Sequence, residues 1–162
     1  MVKTTLVEAD LIAGWRLLLA LEIPPKNQEL FRVKAAFWLY SADSEEWRLM
    51  IATPLVDEKG PLNTYAQLQP LLLEIQPADL YLQNIAVISP SDPLAKAFRR
   101  AMHIPPKVPY VRVTRSTVGG IYVEDAYLYR LPPPLDPLGW SLKRVGAVEK
   151  RDAQETQPRH ER

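Results

Sequence analysis

Sixteen prolines against only six glycines constrain this chain of 162 residues more than any other feature of its sequence. Proline fixes its own φ angle, removes a backbone donor and disfavours helical geometry at the preceding residue. A chain so rich in proline is expected to form sharply ended elements joined by rigid turns. Pro24-Pro25, for example, is expected to end the first helical stretch.

Apolar spacing predicts three helices between these turns. Thr5 and Glu8 have the spacing of a capping box, and apolar residues recur at helical intervals after them. A second helix is predicted over 61–76, with an interruption at Pro70. A third begins after Asp92, which is a favourable N-cap residue ahead of a proline.

Strand-like patterns predict two hairpins and one further strand. The first hairpin spans 31–40 and 47–53, and the second spans 108–116 and 121–130 with a Gly-Gly turn. Between the hairpins, 81–89 contains a continuous apolar run. Such a run is typical of a strand that is buried on both faces at the centre of a sheet.

The resulting order, α-β-β-α-β-α-β-β, predicts a single α/β (or α+β) domain with a five-stranded mixed sheet, about three helices and hairpins at both ends of the order. This domain is expected to occupy 1–140. The proline-rich segment at its end is expected to dock through Leu135, Leu138 and Trp140. Residues 141–162 are charged and polar, which predicts a disordered tail.

Composition excludes several classes of chemistry. The chain has no cysteine, so disulfides, thiol catalysis and cysteine-ligated metals are excluded. One of its two histidines, His160, lies in the predicted tail, so a histidine-based metal site or a Ser-His-Asp triad is not expected. Glu8 and Asp10 stand where a signal peptide needs an apolar stretch, and no apolar run nearby approaches the roughly 20 residues that span a bilayer. A cytoplasmic protein without a cofactor or metal is expected.

The segment between Asp92 and Glu124 carries no acidic residue, although the whole chain has a net charge of only +1. Its basic residues predict a surface that attracts anions, and nucleic acid is the partner that such a surface suggests. The candidate side chains for this contact are Lys96, Arg99, Arg100, Lys107 and Arg112. The alternative is an ordinary solvated helix face, with the strand arginine paired to Glu124 or Asp125 on the next strand.

Two acidic loops carry the candidates for catalysis. If the middle strands run parallel, the loops at 53–60 and 89–92 leave the carboxyl ends of strands, where open α/β sheets bind ligands. Asp57, Glu58 and Asp92 would then hold Mg²⁺ beside a phosphate. Neither loop carries a phosphate-binding motif, and helix capping already explains Asp92, so an enzyme is the less favoured interpretation.

Aromatic residues supply the candidates for partner contact: Trp38, Tyr40 and Trp140. Trp38 and Tyr40 fall on the mixed face of their strand, and Trp140 follows the proline-rich segment. Each is expected either to pack in the core or to contact a partner.

The leading hypothesis is a small non-enzymatic binding or accessory protein that contacts another protein or a second copy of itself, and no membrane. A nucleic-acid-binding protein and a metal-dependent phosphoryl-transfer or hydrolytic enzyme are the alternatives.

Overall fold

The computed structural model describes residues 2–23, 30–75 and 80–142, and these ranges form the predicted α/β fold with three helices and a five-stranded mixed sheet. The helices are α1 (Glu8–Glu22), α2 (Leu55–Ile75) and α3 (Pro93–Ala101). The strands are β1 (Ala35–Ser41), β2 (Glu46–Ala52), β3 (Ile85–Ile88), β4 (Tyr110–Val118) and β5 (Ile121–Tyr129). Short 3₁₀ turns occupy Leu82–Asn84 and Pro137–Leu142.

The sheet has the strand order β3-β2-β1-β5-β4. Two antiparallel hairpins, β1–β2 and β4–β5, form most of it, and they join through the antiparallel pairing of β1 with β5. β3 is parallel to β2 and follows the crossover helix α2. The carboxyl ends of β2 and β3 therefore lie at the same end of the sheet.

β3 is an edge strand, so its predicted position at the centre of the sheet was wrong. Ile85 and Val87 are buried, whereas Ala86 and Ile88 on the other face are half-buried. One neighbouring strand and the helix α2 are enough to bury alternate residues of so short a strand. A continuous apolar run reports burial, and it does not report the number of neighbouring strands.

Helices cover both faces of the sheet, which therefore has two core clusters. α1 and α2 pack on the face that presents Trp38, Leu49 and Ile51. α3 packs on the opposite face, which presents Phe37 and Leu128. β1 lies at the centre of the sheet, so both sets of its alternating residues contribute to the core. The face of β1 that looks mixed in the sequence is core as well.

α1 begins after Val7, so Thr5 does not cap it as the sequence spacing predicts. The Asp10 carboxylate instead accepts the backbone N–H of Val7 at 2.9 Å and pairs with the Lys3 ammonium at 2.8 Å. The Lys3 carbonyl oxygen in turn accepts the backbone N–H of Trp47 at 2.7 Å. These bonds attach the N-terminal segment both to the helix and to the first residues of β2.

α1 approaches the sheet closely at Gly14. A β-carbon at this position would lie 2.3 Å from the Tyr129 hydroxyl oxygen. That hydroxyl donates to the Leu11 carbonyl oxygen at 2.6 Å and accepts the indole N–H of Trp38 at 3.0 Å. Burial raises the pKa of Tyr129. This buried network fixes α1 against β1 and β5.

α2 contains a break at Gly60, whose φ of 84° and ψ of 159° are not helical. Residues 55–59 are helical, so the loop that the sequence predicts there is wrong, and the longer helical stretch begins at Pro61. The Thr64 hydroxyl donates to the Gly60 carbonyl oxygen at 2.8 Å beside the break. The helix continues through Pro70, so it is not divided into two short helices there, and Gly60 is the non-helical residue of this described helix.

Trp140 fixes the segment that follows β5. Its side chain is fully buried, with the ring stacked on Tyr110 at a centroid distance of 6.0 Å and edge-on to Trp15 at 5.6 Å. Trp15 also donates its indole N–H to the Pro134 carbonyl oxygen at 2.7 Å. Leu135 is 82% exposed, so the expectation that it docks is wrong.

Three predictions concern parts of the chain that the structure does not describe. They are the helix end at Pro24-Pro25, the docking of the Leu138 side chain and the disordered tail over 143–162. In the described ranges, no helix is both long enough and apolar enough to cross a membrane.

Candidate functional site

α3 carries three of the five basic candidates, and its packing leaves them at the surface. The Asp92 carboxylate caps the helix by accepting the backbone N–H groups of Leu94 and Ala95, both at 3.1 Å. Phe98 packs edge-on against Phe37 of β1 at a centroid distance of 5.0 Å. The charged side chains on the opposite, exposed side of α3 are Lys96, Arg99 and Arg100.

Arg112 does not join those three side chains, because it lies on β4 with its side chain on the sheet face opposite α3. Its guanidinium stands 5.0 Å from the ring centroid of Tyr127. It donates to both carboxylate oxygens of Asp125 at 2.8 and 3.1 Å, and this hydrogen bonding raises the pKa of Arg112. Lys107 is exposed in the loop between α3 and β4. The five candidates therefore do not form one contiguous patch.

The two acidic segments, the first turn of α2 and the loop at 89–92, meet at the carboxyl ends of β2 and β3. The Ser89 hydroxyl donates to the Asp57 carboxylate at 2.9 Å and lies 2.8 Å from the Ser91 hydroxyl oxygen. Glu58 is paired instead with Arg32 at 2.7 Å, and the hydrogen bond from that arginine lowers the pKa of the Glu58 carboxyl. The third candidate carboxylate, that of Asp92, caps α3. Among the described residues, no three acidic or histidine side chains are grouped so that they could hold a metal ion.

The aromatic candidates for partner contact belong mainly to the core. Trp38 and Trp140 are both 0% exposed, so neither side chain is available to a partner. Trp38 is covered by α1, because Gly14 lets the helix approach the sheet. Tyr40 is half-buried, with its ring 5.5 Å from that of Trp47. Of the three candidates, Tyr40 alone reaches the surface.

A cavity of about 310 Å³ lies between the start of β1, the end of α3 and the end of β5. Its rim is basic and its floor is apolar, so we call it the cationic cavity. The rim carries Lys34, Arg99, His103 and Arg130, and the floor is formed by Phe98, Met102 and Leu128. Arg99 is therefore the one sequence candidate for anion binding that lines this concave site.

A larger groove, of about 720 Å³, follows the open edge of β3. We call it the β3 groove, and its lining includes Arg48, Leu62, Tyr65, Tyr81, Leu82 and Ile85. Leu62 is 83% exposed and Tyr81 is 53% exposed. The groove thus presents large apolar side chains on a concave surface.

Tyr65 occupies the hydrogen-bonding edge of β3 that faces this groove. Its hydroxyl accepts the backbone N–H of Val87 at 3.2 Å and donates to the Ile85 carbonyl oxygen at 3.3 Å. The Ile88 carbonyl oxygen, on the inner edge of the strand, accepts the N–H of Thr53 at 3.0 Å. One side chain therefore takes the place that another strand would occupy.

Most residues that line the two depressions carry no signal in the sequence. Lys34 and Arg130 are distant in the chain and approach each other only through the pairing of β1 with β5. Leu62 continues the apolar stripe of α2, and helical spacing does not distinguish an exposed member of a stripe from a buried one. The acid-free segment around Arg99 is the one signal that pointed towards the cationic cavity.

The cationic cavity and the β3 groove are thus the two candidate sites. No protein-family model, curated protein or solved structure matches the chain. What each depression can bind must therefore be inferred from its own chemistry.

Proposed function

We propose that this protein is a non-catalytic binding protein that docks an amphipathic helix of a partner protein in the β3 groove. The observation that carries the proposal is the exposure of Leu62 and Tyr81, 83% and 53%, in one groove of about 720 Å³. Large apolar side chains grouped on a concave surface are typical of interaction sites. Covering them removes apolar area from water, which is the main favourable contribution to protein association.

A helix fits the β3 groove better than an added strand does. Strand addition needs free backbone groups along the edge of the receiving sheet. On β3, the Val87 N–H and the Ile85 carbonyl are already bonded to the Tyr65 hydroxyl. A helix satisfies its own backbone and needs only apolar contacts for the side chains along one face.

Arg48 adds a preference for an acidic partner. It is the one charged residue among the described residues that line the groove, and it is exposed on β2. Its guanidinium donates to the Gln83 carbonyl oxygen at 3.3 Å, which holds the charge beside the groove. A carboxylate that flanks the apolar stripe of the partner helix would complement this charge.

The proposal is tested by selection from a displayed library of random peptides of about 16 residues, long enough for four helical turns. The wild-type protein is the bait, and a Leu62→Glu variant is used for counter-selection. We expect enriched peptides to carry apolar residues at helical spacing with an acidic residue beside them. Synthetic copies should lose at least about tenfold in affinity for Leu62→Glu and for Tyr81→Ser.

Leu135→Glu is the matched control for this selection, because Leu135 is 82% exposed and lies outside the residues that line the groove. It should leave peptide affinity unchanged. Enriched peptides in which apolar residues alternate with period two would indicate strand addition and contradict the helix proposal. Enrichment that survives in Leu62→Glu would place the binding surface elsewhere.

Nucleic-acid binding is the second candidate function, and the exposed basic side chains of α3 favour it. Within the described residues, Lys96, Arg99 and Arg100 form no ion pair. Fluorescence anisotropy with labelled single- and double-stranded DNA and RNA, at low and near-physiological salt, tests this candidate. Binding that weakens steeply with salt and in the Arg99→Ala/Arg100→Ala variant would support it. No binding at low salt would exclude it.

A further inference from the structure

We propose that the cationic cavity binds a small organic oxyanion, with the charged group on its basic rim and the apolar body of the same ligand on its floor. The ligand class is a compact carboxylate or phosphate monoester. The cavity lies where β1 begins and β5 ends, whereas the β3 groove follows the edge of the sheet. This proposal therefore does not depend on the function proposed above.

The rim brings basic side chains together from three parts of the fold. Lys34 precedes β1, Arg99 and His103 lie at or just beyond the end of α3, and Arg130 follows β5. No carboxylate is among the described residues that line the cavity. Lys34 and Arg99 form no ion pair with any residue in the described ranges. Positive charges held close together repel one another, so an anion placed between them is favoured.

Arg130 is fixed in place by the protein itself. Its Nε–H donates to the Pro105 carbonyl oxygen at 3.1 Å, and Nη1 donates to the carbonyl oxygens of Leu131 and Pro132, both at 3.3 Å. In the part of the chain that the structure describes, the Nη2 protons have no acceptor and remain for a ligand. A donor fixed in this way loses little conformational freedom when it binds.

The apolar floor determines the class of anion. Phe98 and Leu128 are buried, and Met102 beside them is half-buried. The volume of about 310 Å³ is at the lower end of the range of about 300–1,000 Å³ found for small-molecule pockets. An inorganic anion would contact the rim alone. A ligand with one ring or a short alkyl body would contact both the rim and the floor.

Titrations followed by ¹H–¹⁵N NMR test the proposal with four compounds: phenyl phosphate, benzoate, inorganic phosphate and benzyl alcohol. The two organic anions should shift backbone resonances around Arg99, Met102 and Arg130. Inorganic phosphate should bind more weakly because it cannot use the floor, and neutral benzyl alcohol should bind more weakly because it cannot use the rim. Concentrations up to about 10 mM fill most of a site whose Kd is about 1 mM. The tighter of the two organic anions identifies the headgroup as phosphate or carboxylate.

Arg99→Gln and Arg100→Gln are a matched pair, because the residues are exposed neighbours on α3 and only the first of them lines the cavity. Arg99→Gln should weaken binding of the tighter anion about tenfold, whereas Arg100→Gln should leave it nearly unchanged. Equal losses in the two variants would indicate diffuse attraction and overturn the proposal. So would equal affinity for benzyl alcohol or inorganic phosphate, or no shift with either organic anion.

Discussion

Replacement of Gly14 by alanine should destabilise this protein, although alanine is the better helix former. In an unconstrained helix, the change from glycine to alanine stabilises by about 1 kcal/mol. Here the new β-carbon would lie 2.3 Å from the Tyr129 hydroxyl oxygen, which must retreat by about 1 Å to reach an ordinary contact of about 3.4 Å. Such a movement breaks the hydrogen bonds of that hydroxyl with Leu11 and Trp38, which are 2.6 and 3.0 Å long.

The expected net loss is about 3 kcal/mol of unfolding free energy. Overpacking costs about 1–3 kcal/mol, and a buried Trp38 N–H without its acceptor costs about 1–3 kcal/mol more, against the gain of about 1 kcal/mol in helix propensity. Tyr129→Phe alone should cost about 2 kcal/mol, because it removes the same acceptor. The double variant Gly14→Ala/Tyr129→Phe should lose about 3 kcal/mol of unfolding free energy rather than the sum of about 5 kcal/mol, because both single changes disrupt the same hydrogen bonds. Without the hydroxyl, the contacts nearest the new β-carbon are the ring Cζ at 3.0 Å and the Trp38 nitrogen at 3.2 Å.

Urea unfolding followed by circular dichroism measures the wild type, the single variants and the double variant. Tyr122→Phe is the control, because Tyr122 is 59% exposed and its change should cost less than about 0.5 kcal/mol. The m values should agree across the set if only stability changes. The reasoning is refuted if Gly14→Ala is as stable as the wild type. It is also refuted if the losses in the double variant add to within about 0.5 kcal/mol.

Further predictions concern three side chains: Asp92, Trp140 and Tyr129. In urea unfolding, Asp92→Ala should lose about 1 kcal/mol, whereas Asp92→Asn keeps a capping oxygen and should lose less. Trp140→Ala should lose about 3–5 kcal/mol, and limited proteolysis should then cut within 131–139 at a higher rate. Because burial raises the pKa of Tyr129 above the ordinary value of 10.0, only the unfolded chain ionises this phenol just above that pH. Stability should therefore fall as the pH rises above 10.0, and Tyr129→Phe should lose less stability over the same alkaline range.

The order of the elements was predictable from the sequence, whereas the position of β3, the start of α1 and the helical turn at 55–59 were not. Apolar periodicity reports local geometry and burial, and prolines mark where elements end. The place of β3 at the edge depends on its pairing with β2, which no local pattern records. Thr5 is a good N-cap by propensity, but the bonds of Asp10 with Lys3 and Val7 place the first turn later. A contact between distant segments decided the first outcome, and a competing local interaction of Asp10 decided the second.

The residues of the candidate sites also differ in whether the sequence could identify them. Arg99 was predictable because an unusual acid-free segment surrounds it. Lys34 and Arg130 were not, because only the pairing of β1 with β5 brings them to one cavity. Trp38 was ambiguous, because period-two alternation places it on the same face of its strand as Lys34. The close approach of α1 at Gly14, which buries this tryptophan, is visible only in three dimensions.

The buried network and the cationic cavity share the end of β5. Tyr129 points towards α1, so Arg130, the next residue, points to the other side of the sheet, where it bonds three carbonyl oxygens. A displacement of Tyr129, as in Gly14→Ala, would therefore also displace the guanidinium that the proposed anion site uses. β3 is separated from β5 by β2 and β1, so the β3 groove is linked to Tyr129 only less directly, through the core that α1 and α2 share. Gly14→Ala should consequently weaken the binding of the organic anion more than the binding of a helical peptide. The expected difference follows from position in the chain and on the sheet, because Arg130 directly follows Tyr129, whereas the groove lies beside the distant edge strand β3.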